Sequence, residues 1–183
     1  ANTVRTWLGL SFQQEGGTFG APEYLGPVAD RSVRGLHVAD FDVDQRPDLV
    51  VVYGAVPGGA TAQVTVLTQQ DRPGVFDPPV DTAVPACVTT SFVADLDGNG
   101  LPDVGLACWP SSPGIEVYLN AGAGAPLAPA RRIPISDPAF TGHAAGGPLD
   151  GDGLDDIAAL FEGHVRVARQ ESPGTFGPFE RLP

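Results

Sequence analysis

The sequence predicts an all-β protein assembled from a repeated four-stranded unit, and three observations carry that prediction. Glycine and proline supply 24 and 19 of the 183 residues, a density of turn formers that leaves no room for long helices. Between them lie short valine-rich runs, among them Leu49 to Tyr53, Val64 to Leu67 and Ile115 to Leu119, whose β-branched residues and alternation suit strands. Half of the 22 acidic residues fall in three short segments, Asp40 to Asp48, Asp95 to Asp103 and Asp150 to Asp156, each followed by such a run.

A composition that is 42% hydrophobic with a net charge of −12 suits a soluble chain with a core of its own. The negative charge is concentrated rather than spread, so a solvated acidic face does not describe it. Ten lysines and arginines with no basic stripe argue against a nucleic-acid partner. No apolar run reaches the ~20 residues of a membrane span. No signal peptide is visible; a mature form beginning at Ala1 would have lost one. Cys87 and Cys108 bracket the second acidic segment. Their spacing leaves open both a disulfide and two buried free thiols. A disulfide would favour an oxidising, extracytoplasmic compartment.

Taken in order, residues 1–29 are a partial unit with a strand at Val4 to Phe12, the phrase Gln13-Gln-Glu-Gly-Gly-Thr-Phe19, and a short run at Tyr24 and Leu25. The same phrase returns near the C-terminus as Gln170-Glu-Ser-Pro-Gly-Thr-Phe176, so the repeat is cut out of phase at its start. Residues 30–85 form the first complete unit: strands at Val33 to Ala39, Leu49 to Tyr53 and Ala62 to Leu67, then Pro73-Gly-Val-Phe76. Residues 86–137 form the second, ending in Ala130-Arg-Arg-Ile-Pro-Ile, and residues 138–183 form the third.

The aspartates closing the three acidic loops, Asp48, Asp103 and Asp156, are 55 and 53 residues apart. A repeat of that length with four short strands predicts β-propeller blades. One blade cannot bury both its faces, whereas radial stacking covers each with a neighbour. The expected core includes Val64, Val66, Ile115, Val117 and Leu119 with Phe12, Phe19, Phe76 and Phe176. About three and a half blades are present, so the chain is expected to be part of a larger, seven-bladed propeller, or to be completed by self-association or a partner chain.

Within the second loop, carboxylates occupy positions one, three and nine, an amide oxygen position five and glycine position six. This spacing lets a short loop wrap its oxygens around a hard cation such as Ca²⁺. The units resemble the FG-GAP/VCBS repeats, related to those of the integrin α-chain propeller, whose blades carry Asp-x-Asp/Asn-x-Asp/Asn-Gly-x-x-Asp between their first two strands. The Asn/Gln…Gly-x-Phe phrase is similar as well. The resemblance implies loops that bind Ca²⁺ to hold a hairpin rather than to perform chemistry. It implies as ligands Asp40, Asp42, Asp44, the Arg46 carbonyl and Asp48 in the first loop, and Asp95, Asp97, Asn99, the Leu101 carbonyl and Asp103 in the second. In the third it implies Asp150, Asp152, the Leu154 carbonyl and Asp156, with Pro148 at position one leaving a ligand to be supplied by Asp155 or water. Gln45 replaces the glycine at position six of the first loop, a strain of about 1–2 kcal/mol if that backbone is left-handed.

An EF-hand is excluded because its position-twelve glutamate is Val51, Leu106 or Ala159 here and flanking helices are missing. Aspartates acting only as turn formers would leave four like charges within nine residues unneutralised. His37, His143 and His164 have no accompanying catalytic motif, neither a nucleophile elbow nor a His-Glu-x-x-His helix. His37 is expected to pack or face solvent, and the conspicuous carboxylates are better explained as metal ligands than as glycosidase acid pairs. Trp7 is expected in the core; Trp109, before Pro110-Ser-Ser-Pro-Gly, is the better candidate for stacking on a sugar. The leading expectation is a secreted or cell-surface, non-catalytic recognition or adhesion module binding a glycan or protein through propeller-face loops. The alternative is the scaffold or substrate-binding part of an enzyme acting on polysaccharide or lipid.

Overall fold

The computed structural model describes residues 6–29, 31–56, 58–122 and 124–182. Val4, in the first expected strand, lies outside the described residues, as do the unit-terminal Asp30 and Pro183. Every regular element among the described residues is a strand, and no helix is long and apolar enough to cross a membrane.

Strand β1 (Thr6–Leu10) pairs antiparallel with β2 (Glu23–Ala29) as a separate hairpin. Three four-stranded antiparallel meanders follow. The first comprises β3 (Val33–Ala39), β4 (Asp48–Tyr53), β5 (Thr61–Leu67) and β6 (Val80–Pro85). The second comprises β7 (Val88–Ala94), β8 (Asp103–Cys108), β9 (Gly114–Leu119) and β10 (Ala128–Pro134). The third runs β11 (Phe140–Gly147), β12 (Asp156–Phe161) and β13 (His164–Ala168), interrupts itself with the small hairpin β14 (Gln170–Ser172) and β15 (Thr175–Phe176), and ends on β16 (Glu180–Arg181). The acidic loops join first strand to second in every meander. The residue before each loop pairs with the aspartate that ends it: Ala39 with Asp48, Ala94 with Asp103, and Gly147 with Asp156.

The sheets stack radially, since β3 neighbours β7 and β7 neighbours β11. This is the propeller arrangement, with first strands innermost. Strands β4 and β8 are buried along their whole length because a neighbouring layer covers each face. Strand β10, outermost in its blade, is mostly exposed. Val50, Val52 and Val64 of the first blade meet Val104, Leu106 and Tyr118 of the second. Phe92, Ile115 and Val117 of the second meet Phe140, Ile157 and Phe161 of the third. Leu8, Leu10 and Leu25 of the hairpin cover Leu49, Val51 and Tyr53 on the other face of the first blade.

Val64, Val66, Ile115 and Val117 are buried as expected. Two of the expected core phenylalanines are not: Phe12 is 42% and Phe19 66% exposed, and Trp7 is 51% exposed. All three belong to the N-terminal hairpin segment, which the first blade covers on one face only. Cys87 and Cys108 form a disulfide with Cα atoms 4.8 Å apart, tying the outer end of β8 to the residue preceding β7. His37 on β3 bonds through Nε2 to Ser91 Oγ on β7 at 2.8 Å, linking two inner strands, and burial lowers its pKa.

The spacing between second and third blades depends on small residues. A methyl at Gly105 would lie 2.2 Å from Phe92 Cζ, and one at Gly146 2.8 Å from Phe92 Cδ2. The Phe92 ring therefore fills the volume that side chains at these positions would take. Gly105→Ala should overpack this layer and lower unfolding free energy by about 1–3 kcal/mol in urea denaturation, with part of the loss recovered in the double variant carrying Phe92→Leu.

Candidate metal centres

Each acidic loop is organised by the aspartate at its ninth position, and all three of these are fully buried. Asp48 accepts the Phe41 N–H at 2.7 Å and the Gln69 N–H at 2.7 Å. Asp103 accepts from Leu96 at 2.9 Å and Asn120 at 2.8 Å. Asp156 accepts from Leu149 at 3.2 Å and Gln170 at 2.9 Å. One oxygen thus holds the second residue of the loop, and the other holds a residue one or two positions after the third strand. Charge-assisted bonds of this kind are the strong ones, and they offset part of the cost of burying a carboxylate.

The earlier positions shape the turn. Asp95 accepts the Gly98 N–H at 2.7 Å, the Asn99 N–H at 3.1 Å and the Gly100 N–H at 2.8 Å. Asp40 similarly takes Asp44 N–H at 3.0 Å and Gln45 N–H at 2.8 Å. The backbone is left-handed at positions four and six in all three loops. Glycine supplies it at Gly98, Gly100, Gly151 and Gly153, whereas the first loop uses Val43 (φ 62°) and Gln45 (φ 69°). The strain expected at Gln45 is present, and Val43 adds more because its side chain is β-branched.

Among the described residues two clusters of carboxylates can hold a metal ion: Asp40, Asp42 and Asp48, and Asp95, Asp97 and Asp103, with one oxygen from each residue within 4.8 Å of the others. Hard oxygen donors converging in this way fit Ca²⁺. Asp44 stands apart from the first cluster, and its carboxylate pairs with the Arg46 guanidinium, which also reaches Asp71 at 3.1 Å and the Gln69 carbonyl at 3.1 Å. Asn99 Nδ2 donates to Asp97 Oδ2 at 3.2 Å, and Asn99 Oδ1 accepts the Leu101 N–H at 2.7 Å.

Neither cluster is in the third loop. Proline at 148 supplies no carboxylate to gather the turn, and Arg169 Nε lies 3.5 Å from Asp150 Oδ2, so a side-chain cation partly neutralises the loop. Asp152 accepts the Leu154 N–H at 2.8 Å. Asp155, expected as a substitute ligand, instead accepts the Asp95 N–H in the second loop at 2.8 Å.

Three amides in the Asn/Gln phrase are functional parts that spacing alone did not assign. The Gln69, Asn120 and Gln170 side-chain oxygens accept the N–H groups of Gly74, Gly122 and Gly174 at 2.8, 3.0 and 2.7 Å. Their amide nitrogens donate to loop carbonyls. Gln69 serves Pro47 of its own blade at 3.0 Å, Asn120 serves Phe41 of the first blade at 2.7 Å, and Gln170 serves Asp95 of the second at 3.1 Å. The sequence signal for them was the recurrence of Asn or Gln at the end of each third strand.

Burial raises the pKa of Asp48, and of Asp42, where neighbouring carboxylates add to it. Burial, reinforced by Asp97 and Asp95 and opposed by the two N–H bonds, pushes Asp103 up to about 7.

A groove of about 240 Å³ runs between the second and third blades, lined by Ile135, Asp137, Phe161, Arg166 and Phe179 among others. Arg166 lies over the Phe161 ring at 4.4 Å and pairs with Asp137. The Ala139 N–H, then Arg166, hold the Asp137 carboxyl below its usual pKa. Trp109 is 41% exposed beside the second blade's disulfide.

Residues 95–159 match the FG-GAP-like repeat family. That stretch, containing the second and third acidic loops, is an FG-GAP-like repeat, and the fold is that of a β-propeller. No curated protein is significantly similar to the chain. Among solved structures the chain is similar to a lectin from Agrocybe aegerita, described by its specific recognition of non-reducing terminal N-acetylglucosamine, with 23% identity and a TM-score of 0.64. The likeness covers 94% of this chain and 45% of the lectin chain, so the chain spans less than half of that protein's length.

Two outcomes follow for the loops. Asp103 fits the folded chain best when protonated, since its folded pKa is the higher one. In EDTA, stability should therefore fall as pH rises from about 4 to about 7. Urea unfolding at pH 5 and 8 checks the sign. Val43→Gly should relieve the left-handed strain and raise unfolding free energy by about 1 kcal/mol, read from the same unfolding curves.

Proposed function

We propose that this chain is a calcium-stabilised, non-catalytic recognition module that binds glycans at its surface and works outside the cytoplasm. The observation carrying the glycan reading is the fold likeness, over 94% of the chain, to a lectin recognising terminal N-acetylglucosamine. The groove between second and third blades supports it. Asp137 accepts and Arg166 donates hydrogen bonds, and the half-buried Phe179 supplies an apolar surface beside them, the mixture that orients a polar ligand with an apolar ring face. The calcium reading is supported by the two converging carboxylate clusters and by the FG-GAP-like repeat. Asp40, Asp42 and Asp48 would hold one ion and Asp95, Asp97 and Asp103 another, with Asn99 and the Leu101 and Arg46 carbonyls completing their shells. A bound cation would neutralise the crowded carboxylates and hold the β3–β4 and β7–β8 hairpins. The Cys87–Cys108 disulfide supports an oxidising compartment.

Calcium should raise the melting temperature and EDTA lower it; a melt indifferent to both would sink the calcium reading. Separately, a glycan array should retain the chain on N-acetylglucosamine-terminated oligosaccharides, without product release, and Arg166→Ala should abolish retention. No retention on any glycan, or turnover of one, would overturn the recognition reading.

A further inference from the structure

We infer that Asp155 and Gln170 of the third blade are positioning residues for the second cation loop, so that cation binding there and packing of the second blade on the third form one coupled equilibrium. The inference rests on the calcium reading of Asp95, Asp97 and Asp103.

Position eight, just before the buried aspartate, is Pro47 in the first loop and Pro102 in the second, but Asp155 in the third. A proline there can offer neither an N–H nor a carboxylate. Asp155 does not turn toward its own loop's acids. Its Oδ2 crosses the blade interface and accepts the N–H of Asp95 at 2.8 Å. Asp95 is the position-one residue whose carboxylate gathers the Gly98, Asn99 and Gly100 N–H groups.

The other side of the same residue is held as well. Gln170 Nε2 donates to the Asp95 carbonyl at 3.1 Å and to the Asp155 carbonyl at 2.8 Å. Gln170 is itself immobilised: it is fully buried, its N–H bonds Asp156 Oδ1 at 2.9 Å, and its Oε1 accepts from Gly174 at 2.7 Å. Both the N–H and the C=O of Asp95 are therefore anchored to the third blade, which sets the direction in which its carboxylate projects. Among the described residues, the first loop is gripped across its interface by one bond, from Asn120 to the Phe41 carbonyl.

Groups that orient metal ligands typically change affinity ~10–100-fold when removed, and such coupling is reciprocal. Calcium should therefore bind at two sites in the intact chain, assigned by loss of one in Asp40→Ala and the other in Asp95→Ala, followed by isothermal titration. Asp155→Ala and Gln170→Ala are expected to weaken the second site by roughly tenfold or more while leaving the first within about twofold. Asp155→Asn, which keeps an acceptor oxygen, should retain most of the affinity. Calcium should also slow hydrogen exchange at the Gln170 and Gly174 amides in the unaltered chain.

Uptake of no calcium by the unaltered chain would overturn the calcium reading beneath. Two normal sites in Asp155→Ala would overturn this inference alone. Equal losses in the Asn and Ala variants would assign the effect to charge and overturn the positioning role. Should the alanine variants fail to fold, calcium-independent exchange at Gln170 and Gly174 would overturn the coupling.

Discussion

The structure depends on one repeated constraint, a buried aspartate that accepts two backbone N–H bonds. Asp48, Asp103 and Asp156 begin the second strand of their blades at zero exposure. Burying an isolated carboxylate is costly, and each recovers part of that cost by binding the second residue of its loop and a residue one or two positions after its third strand. Three separate pieces of chain are thereby brought to one point. The loop shape, the direction of the remaining acids and the position of the Gln69, Asn120 and Gln170 amides all follow from it.

The blades then communicate through these same loops. Apolar side chains supply the bulk of each interface, but they are non-directional. At the loops the directional part comes from Asn120 reaching the first and from Gln170 and Asp155 reaching the second, and along the inner strands from His37 bonding Ser91 and from Thr89 and Thr90 donating to the Gly142 carbonyl. The loops lie at the joints between layers, and a cation held in one would act on the frame. Outside them, Asp137, Arg166 and Phe179 line a groove between blades.

The three loops depart from one another in ways that show what each position does. The first keeps its shape with Val43 and Gln45 in left-handed backbone and diverts Asp44 to Arg46. The second has glycine at both left-handed positions and a carboxylate at positions one, three and nine. In the third, Pro148 removes the gathering carboxylate, and Arg169 lies beside Asp150.

Much of this was legible in the residues. The spacing of Asp48, Asp103 and Asp156, the turn-rich composition and the valine runs determined strands, loops and blades, because those signals act over a few neighbouring residues. The carboxylates that could converge were also readable, since loop register places them. The tertiary structure alone decided the rest. It turned Phe12, Phe19 and Trp7 outward, because burial depends on what covers a face. It joined Cys87 to Cys108, because pairing depends on distance between strands. It sent Asp155 to Asp95 rather than to its own loop, because that bond spans 60 residues and exists only once two blades are stacked.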